Sequence, residues 1–162
     1  MERVAALIRA LQLAPHPEGG HYREIWRSPE AVARGDGRGE RAAMTSIYFL
    51  LPAGARSRWH RVRSDEIWHH YEGAPLELLL VPADEFRLER RRLGPLGADR
   101  AQAPVQCVPA GSWQAARSLG DYTLVGCTVA PGFEFADFEL LSDRPEAADA
   151  LLRAVPEAEP FK

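Results

Sequence analysis

Apolar and polar positions follow a helical period only near the two ends of this chain; between them they alternate as in strands. Val4, Leu7, Ile8 and Leu11 recur at helical spacing, which predicts a short amphipathic helix stopped by Pro15 and Pro17. Glu18-Gly19-Gly20 reads as a flexible turn into an extended run, His21 to Arg27, that ends near Pro29. Residues 33–41 are rich in glycine and charge, the composition of an exposed, mobile loop. Further strands are predicted at Thr45–Leu51, Ser57–Val62, Glu66–Tyr71, Leu76–Val81, Phe86–Arg91, Gln106–Val108, Ser112–Arg117, Tyr122–Val129 and Phe133–Leu140. Turn signals such as Gly73-Ala-Pro75, Gly120-Asp121 and Pro131-Gly132 separate them, so the pattern specifies an all-β sandwich or barrel. Pro145 opens a last helix with Ala148, Leu151, Leu152 and Val155 on one side, and the tail from Pro156 is expected to fray.

Composition narrows the function classes. A chain of 162 residues without an internal linker is expected to form a single domain over 1–162, with its core at about 20–140. The net charge of −3 makes no electrostatic case for nucleic acid or an anionic membrane. The apolar run from Ala5 to Ile8 is short and flanked by Arg3 and Arg9, so neither a membrane span nor a secretory leader is expected. Cys107 and Cys127 lie in strand-like runs without metal or redox spacing, and are expected to be buried thiols of a cytoplasmic protein.

The chemistry concentrates in Gly54, His60, Glu66 and Gly73, followed by Pro109-Ala-Gly111-Ser-Trp-Gln114. This spacing resembles the two signature stretches of the cupins, small β-barrels that cradle a metal or a small molecule. Val62 stands where the second cupin histidine belongs, and Gln114 replaces the histidine of the second stretch. Pro15 to Glu24, Ser57 to Val62, Asp65 to His69, Val108 to Gln114 and Leu124 to Phe138 look like hallmarks of one branch, the cupin-5 family. The resemblance implies a double-stranded β-helix jelly roll, usually a homodimer, with short terminal helices here. It implies no settled biochemical role.

Alternation along a strand sends Val62 inward with His60, and Trp68 and His70 inward with Glu66. By the same logic Arg58 shares the face of His60, where it could hold a carboxylate or phosphate. A metal would have His60 and Glu66, with Gln114 a weak third ligand; His70 stands roughly 13 Å along the strand from Glu66, too far to share one ion easily. No cofactor is therefore favoured, although a divalent metal remains an alternative. The metal-free reading pairs His60 as a general base with Glu66 as its orienting partner, which suits proton abstraction beside a carbonyl. Tyr22, Tyr48 or Tyr71 could supply the acid. Substrate contacts are expected from Glu18, laid over the mouth as the family resemblance implies, and from Tyr48, Arg58, Trp68, His70 and Gln114. The expected activity is epimerisation or isomerisation of a sugar-like or carboxylate-bearing metabolite, with a ligand-binding module that performs no chemistry as the alternative. Trp59 and Trp113 are read as core or stacking surface, and Phe133, Phe135 and Phe138 as core or dimer interface.

Overall fold

A computed structural model describes residues 2–161 except 84, 86 and 98–100. The chain opens with helix α1 (Glu2–Leu11), followed by β1 (Ala14–Pro15), β2 (His21–Arg27), β3 (Ala31–Ala33), β4 (Glu40–Ala42) and β5 (Thr45–Pro52). Next come β6 (Arg56–Val62), β7 (Asp65–Gly73), β8 (Leu76–Val81), β9 (Glu89–Leu93), β10 (Gln102–Ala103) and β11 (Val105–Val108). The last elements are β12 (Trp113–Ser118), β13 (Tyr122–Ala130), β14 (Phe138–Leu140) and α2 (Pro145–Ala154). Two six-stranded sheets face each other, ordered β1-β2-β5-β13-β7-β11 and β10-β9-β8-β12-β6-β14, with β3 and β4 forming a separate hairpin. Consecutive strands mostly belong to opposite sheets, the winding of a jelly roll, as expected from the sequence.

Three apolar clusters hold these layers. Phe49, Trp68, Leu78, Leu80, Val125 and Cys127 fill the space between the sheets at one end. The run Leu76–Val81 is apolar on both faces because Leu78 and Leu80 point into that core while Leu79 and Val81 point outward beneath α2. Outside the first sheet, Leu7 of α1 packs with Leu13, Leu50 and Leu124. Outside the second, Trp59, Trp113 and Leu79 meet Leu151, Val155 and Phe161. Trp59 and Trp113 are thus core residues of the α2 layer and take no part in the space between the sheets. Among the described residues no helix is long and apolar enough to cross a membrane.

Several local expectations are corrected. The segment 33–41 joins β3 to β4 and is largely exposed, as expected, but its arginines are engaged: Arg41 donates to both oxygens of Asp137 at 2.8 and 3.2 Å, while Arg34 and Arg38 donate to the Arg63 carbonyl. Only Phe138–Leu140 of the expected strand Phe133–Leu140 is extended; a 3-10 turn at Phe135–Asp137 precedes it. The strand expected at Phe86–Arg91 runs Glu89–Leu93, and Phe86 lies outside the described residues. Cys107 is exposed because β11 is an edge strand on which it shares the outer face with its partner Ile67. The tail does not fray: Pro156–Phe161 is a 3-10 helix, Ala158 and Phe161 are buried, and Trp59 Nε1 donates to the Ala158 carbonyl at 2.7 Å.

The docking of α2 gives a direct test of this layer. Leu151→Ala should cost about 2–5 kcal/mol in chemical unfolding, the range for a buried leucine, and a loss near zero would show that α2 is not part of the cooperative unit.

Candidate functional site

At the end of the barrel that the apolar core leaves unfilled lies a cavity of about 310 Å³. Its walls are chiefly hydrocarbon and aromatic: Ile47, Phe49, Val62, Trp68 and Val129 on the strands, with Phe133, Phe135 and Phe138 on the segment after β13. Those three phenylalanines form no part of the apolar core, and of the three only Phe138, at the start of β14, belongs to a strand. The 3-10 turn, held by Asp137, swings them against one another and over the site at ring separations of 5.1–6.1 Å. Phe138 stacks on His60 and Phe135 on His16. Polar groups are few and deep: His16, Glu18, His60 and Glu66, with Tyr22 and Cys127 beside them. At the rim Arg27 is clamped by Glu24 at 2.9 Å and Glu134 at 2.7 Å.

A β-bulge decides which residues of β6 face this space. Gln114 pairs with His60 and Ala116 with Ser57, so β6 carries one more residue than β12 across this step. Ser57 and His60 therefore point the same way, and Ser57 Oγ lies 3.5 Å from His60 Nδ1. Simple alternation put Arg58 on the inward face; the extra residue turns it away, and its guanidinium donates to the Pro17 carbonyl at 2.7 Å. That contact does structural work. Together with the Arg58 N–H bond to the Glu18 carbonyl at 2.8 Å, it staples the loop 16–20 to β6. Gly19 sits at φ 114° against the Arg56 carbonyl, a conformation and an approach that a Cβ would block. The loop thereby lowers Glu18, only 6% exposed, into the barrel.

Glu18, rather than Glu66, is the carboxyl group that meets His60. Its Oε2 lies 3.3 Å from His60 Nε2 and 3.5 Å from His16 Nδ1, while Oε1 accepts from Ser57 at 2.8 Å. His60 Nδ1 faces the Arg58 carbonyl at 2.8 Å, and a carbonyl only accepts, so the ring proton sits on Nδ1. His16 Nδ1 in turn accepts from the Glu18 backbone N–H. The lone pair of His60 Nε2 thus faces a carboxyl oxygen, a contact that holds together only with a proton between the two. Burial supplies the same answer, raising the Glu18 carboxyl above the usual range and lowering His60 below it. Both directions favour a proton on Glu18, shared toward His60.

Glu66 comes from the opposing sheet and has another partner. Gln114 Nε2 donates to Glu66 Oε2 at 2.6 Å, and Gln114 Oε1 accepts from Trp68 Nε1 at 3.1 Å. The indole can only donate, which fixes the amide orientation. The Glu66 carboxyl is pushed up by burial, and the nearby His60 partly offsets this. Of the other expected contacts, Trp68 lines the cavity with its ring. Gln114 stands behind Glu66 and Trp68 rather than at the cavity surface. His70 shares the face of Trp68 but lies past it, toward the core-filled end, where its Nε2 approaches the Ala74 carbonyl at 3.4 Å. Tyr48 is on the outer surface of the first sheet, edge-on to Tyr71, so neither can act as an acid inside the barrel; Tyr22 can. His16 and the phenylalanine wall escaped the sequence reading. His16 lay inside the stretch Pro15–Glu24, but nothing in its spacing places it against Glu18.

The donor set for the metal of this fold is not reproduced. Val62 offers hydrocarbon, and Gln114 presents its N–H group, not its oxygen, toward Glu66. Among the described residues no three His, Cys, Asp or Glu side chains gather as a metal site.

A buried carboxyl that is uncomfortable when ionised makes a prediction about stability. The folded state holds Glu66's proton to higher pH than the unfolded chain does, so stability falls as pH rises from the ordinary carboxylate range through the raised value. Glu66→Gln removes that loss while keeping an oxygen for Gln114. Its melting temperature should exceed that of the parent at about pH 8, and the advantage should shrink toward about pH 4. Parallel melting curves across this range would refute the assignment.

Comparison with known proteins agrees with this architecture. A hypothetical protein from Leishmania major is 34% identical over 83% of this chain and 85% of its own, with a TM-score of 0.77. A Shewanella oneidensis protein is 36% identical over 94% and 89%, with a TM-score of 0.78. Oxalate decarboxylase from Bacillus subtilis shares the fold at 14% identity and a TM-score of 0.58, covering 80% of this chain and 30% of that one. No curated protein sequence matches. The family model of the cupin superfamily denoted DUF985 matches residues 5–141, and the chain therefore belongs to the cupin-5 family.

Proposed function

We propose that this cupin binds a small organic molecule and moves a proton on it without a resident metal, an isomerase-type reaction. The observation that carries the reading is the position of His60, whose Nδ1 is committed to the Arg58 carbonyl while Nε2 faces Glu18 at the cavity wall. Once Glu18 is ionised, Nε2 can take a proton from a carbon acid, and the imidazolium so formed has a carboxylate beside it. The proton then returns from the same imidazole to a neighbouring atom. One base on one face supports a proton shift better than the inversion of an epimerase, which needs groups on both faces. Glu66 and Tyr22 serve in this scheme as contacts that hold and polarise the ligand. A carboxylate-bearing ligand is disfavoured: Arg27 is paired with two glutamates at the rim, and Arg58 points away. The sparse polar lining also suits a largely apolar body better than a sugar.

The test is a screen for solvent deuterium incorporation into small carbon acids, followed by His60→Gln on any substrate found. Loss of general-base catalysis should lower the rate by about 10²–10⁴-fold. Activity in the parent should rise with pH from the ordinary carboxylate range through the raised Glu18 value, because the pair must lose its proton before it can accept another. Unchanged turnover in His60→Gln would end the proposal. Binding without any exchange would favour the non-catalytic module.

Assembly is part of the same reading. Trp26, Ile67, Tyr71 and Val105 are 37–53% exposed on the outer face of the first sheet, beside the area that α1 covers. We propose that a second copy covers this face, as in a homodimer, and that the free thiols fit the reducing cytoplasm. Ile67→Glu should convert a dimer to a folded monomer in sedimentation equilibrium. A monomeric parent at micromolar concentration would dismiss the interface.

A further inference from the structure

The charge of the cavity lining has a sign, and it selects a class of ligand. Four carboxyl groups line the space, Glu18, Glu24, Glu66 and Glu134, against one guanidinium. That guanidinium, Arg27, satisfies Glu24 and Glu134 at the rim. The two deep carboxyls are left with neutral partners: Ser57 and the imidazoles of His16 and His60 for Glu18, and the Gln114 amide for Glu66. The guanidinium of Arg58 is turned onto the Pro17 carbonyl and reaches Glu18 only through its field. The two carboxyls come from different elements, Glu18 from the loop before β2 and Glu66 from β7, yet they are close enough for each ionisation to oppose the other. Around them stand Tyr22, Phe49, Trp68, Phe133, Phe135 and Phe138, whose ring faces carry partial negative charge. Buried carboxyls with no fixed cation beside them, inside a wall of aromatic rings, describe a site in which the missing positive charge is brought by the occupant.

We infer that the natural ligand is a small organic cation, an amine or amidine on an apolar or aromatic body, with its charge seated between Glu18 and Glu66. The inference rests on the reading of this cavity as the binding site and deepens it by naming the ligand class. It also fits the proposed chemistry: a cation beside Glu18 favours loss of the proton that Glu18 otherwise shares toward His60 Nε2. Anions meet two carboxyls with nothing to balance them. Neutral molecules of the same shape gain the hydrophobic contact alone.

The experiment is a matched series of one shape and three charges. Benzylamine, benzyl alcohol and benzoate are titrated into the full chain by calorimetry, without any need for turnover. Benzylamine should bind at least about tenfold more tightly than benzyl alcohol, the scale of a desolvated cation against aromatic and carboxylate groups, and benzoate should not compete with it. Glu66→Gln should bring benzylamine down to the affinity of benzyl alcohol. Glu18→Gln provides the same reading should the first variant fail to fold. Phe135→Ala, at the mouth, should weaken all binding and so place the ligand in the cavity rather than on the acidic surface. Equal or tighter binding of the alcohol or benzoate, indifference of benzylamine to both glutamate variants, or no detectable benzylamine binding at millimolar concentration would each overturn the inference. The two readings fail separately: a His60 variant that leaves exchange intact refutes the proton transfer and leaves the cation preference standing.

Discussion

A carboxyl group buried against an imidazole, with no lysine or arginine at its side, is the constraint around which this barrel is organised. Glu18 is buried at the cavity wall and held by Ser57, His16 and His60, so its ionisation depends on where one proton lies. Such a group is tolerated only where the backbone leaves no alternative. Here the backbone is the loop 16–20, fixed to β6 by two bonds from Arg58 and by the close approach of Gly19 to Arg56. The loop, the β6 bulge and the tautomer of His60 are one arrangement. Removing any of them would alter the other two.

The same frame explains why the molecule departs from the ligand set of metal-binding cupins. His60 remains, but its neighbours have been assigned to other work. Val62 extends the apolar wall, and Gln114 acts as a clamp between Trp68 and Glu66. The site has become an apolar pocket with a proton-holding pair on one wall and a clamped carboxyl on the other. Polar atoms are sparse there, so each carries much of the site's selectivity.

Much of the fold was legible in the chain because it depends on local pattern. Val4, Leu7, Ile8 and Leu11 required a helix with one apolar face, and Leu76–Val81 a strand buried on both sides. The errors arose where a distant residue overrides that pattern. Phe133–Leu140 alternates like a strand, yet Asp137 is drawn into a turn by Arg41 from another part of the chain. The charged segment 33–41 is exposed as its composition implies, but composition does not reveal that its arginines find Asp137 and the Arg63 carbonyl. Pro156–Phe161 looked like loose tail because nothing local shows that Trp59 needs the Ala158 carbonyl.

The sequence by itself determined the barrel, its family and the presence of His60, Glu66 and Glu18 in the motifs that face its centre. His60 and Glu66 follow from spacing along single strands, where side chains alternate with a fixed period, while Glu18, on the loop before β2, follows from the family resemblance. Tertiary structure alone decided which acid pairs with the histidine. The bulge in β6 breaks the alternation that had put Arg58 inside, and a loop far along the chain lowers Glu18 into the place expected for Glu66. Partner choice depends on distances across sheets to within an ångström, and a one-dimensional pattern carries no information at that scale.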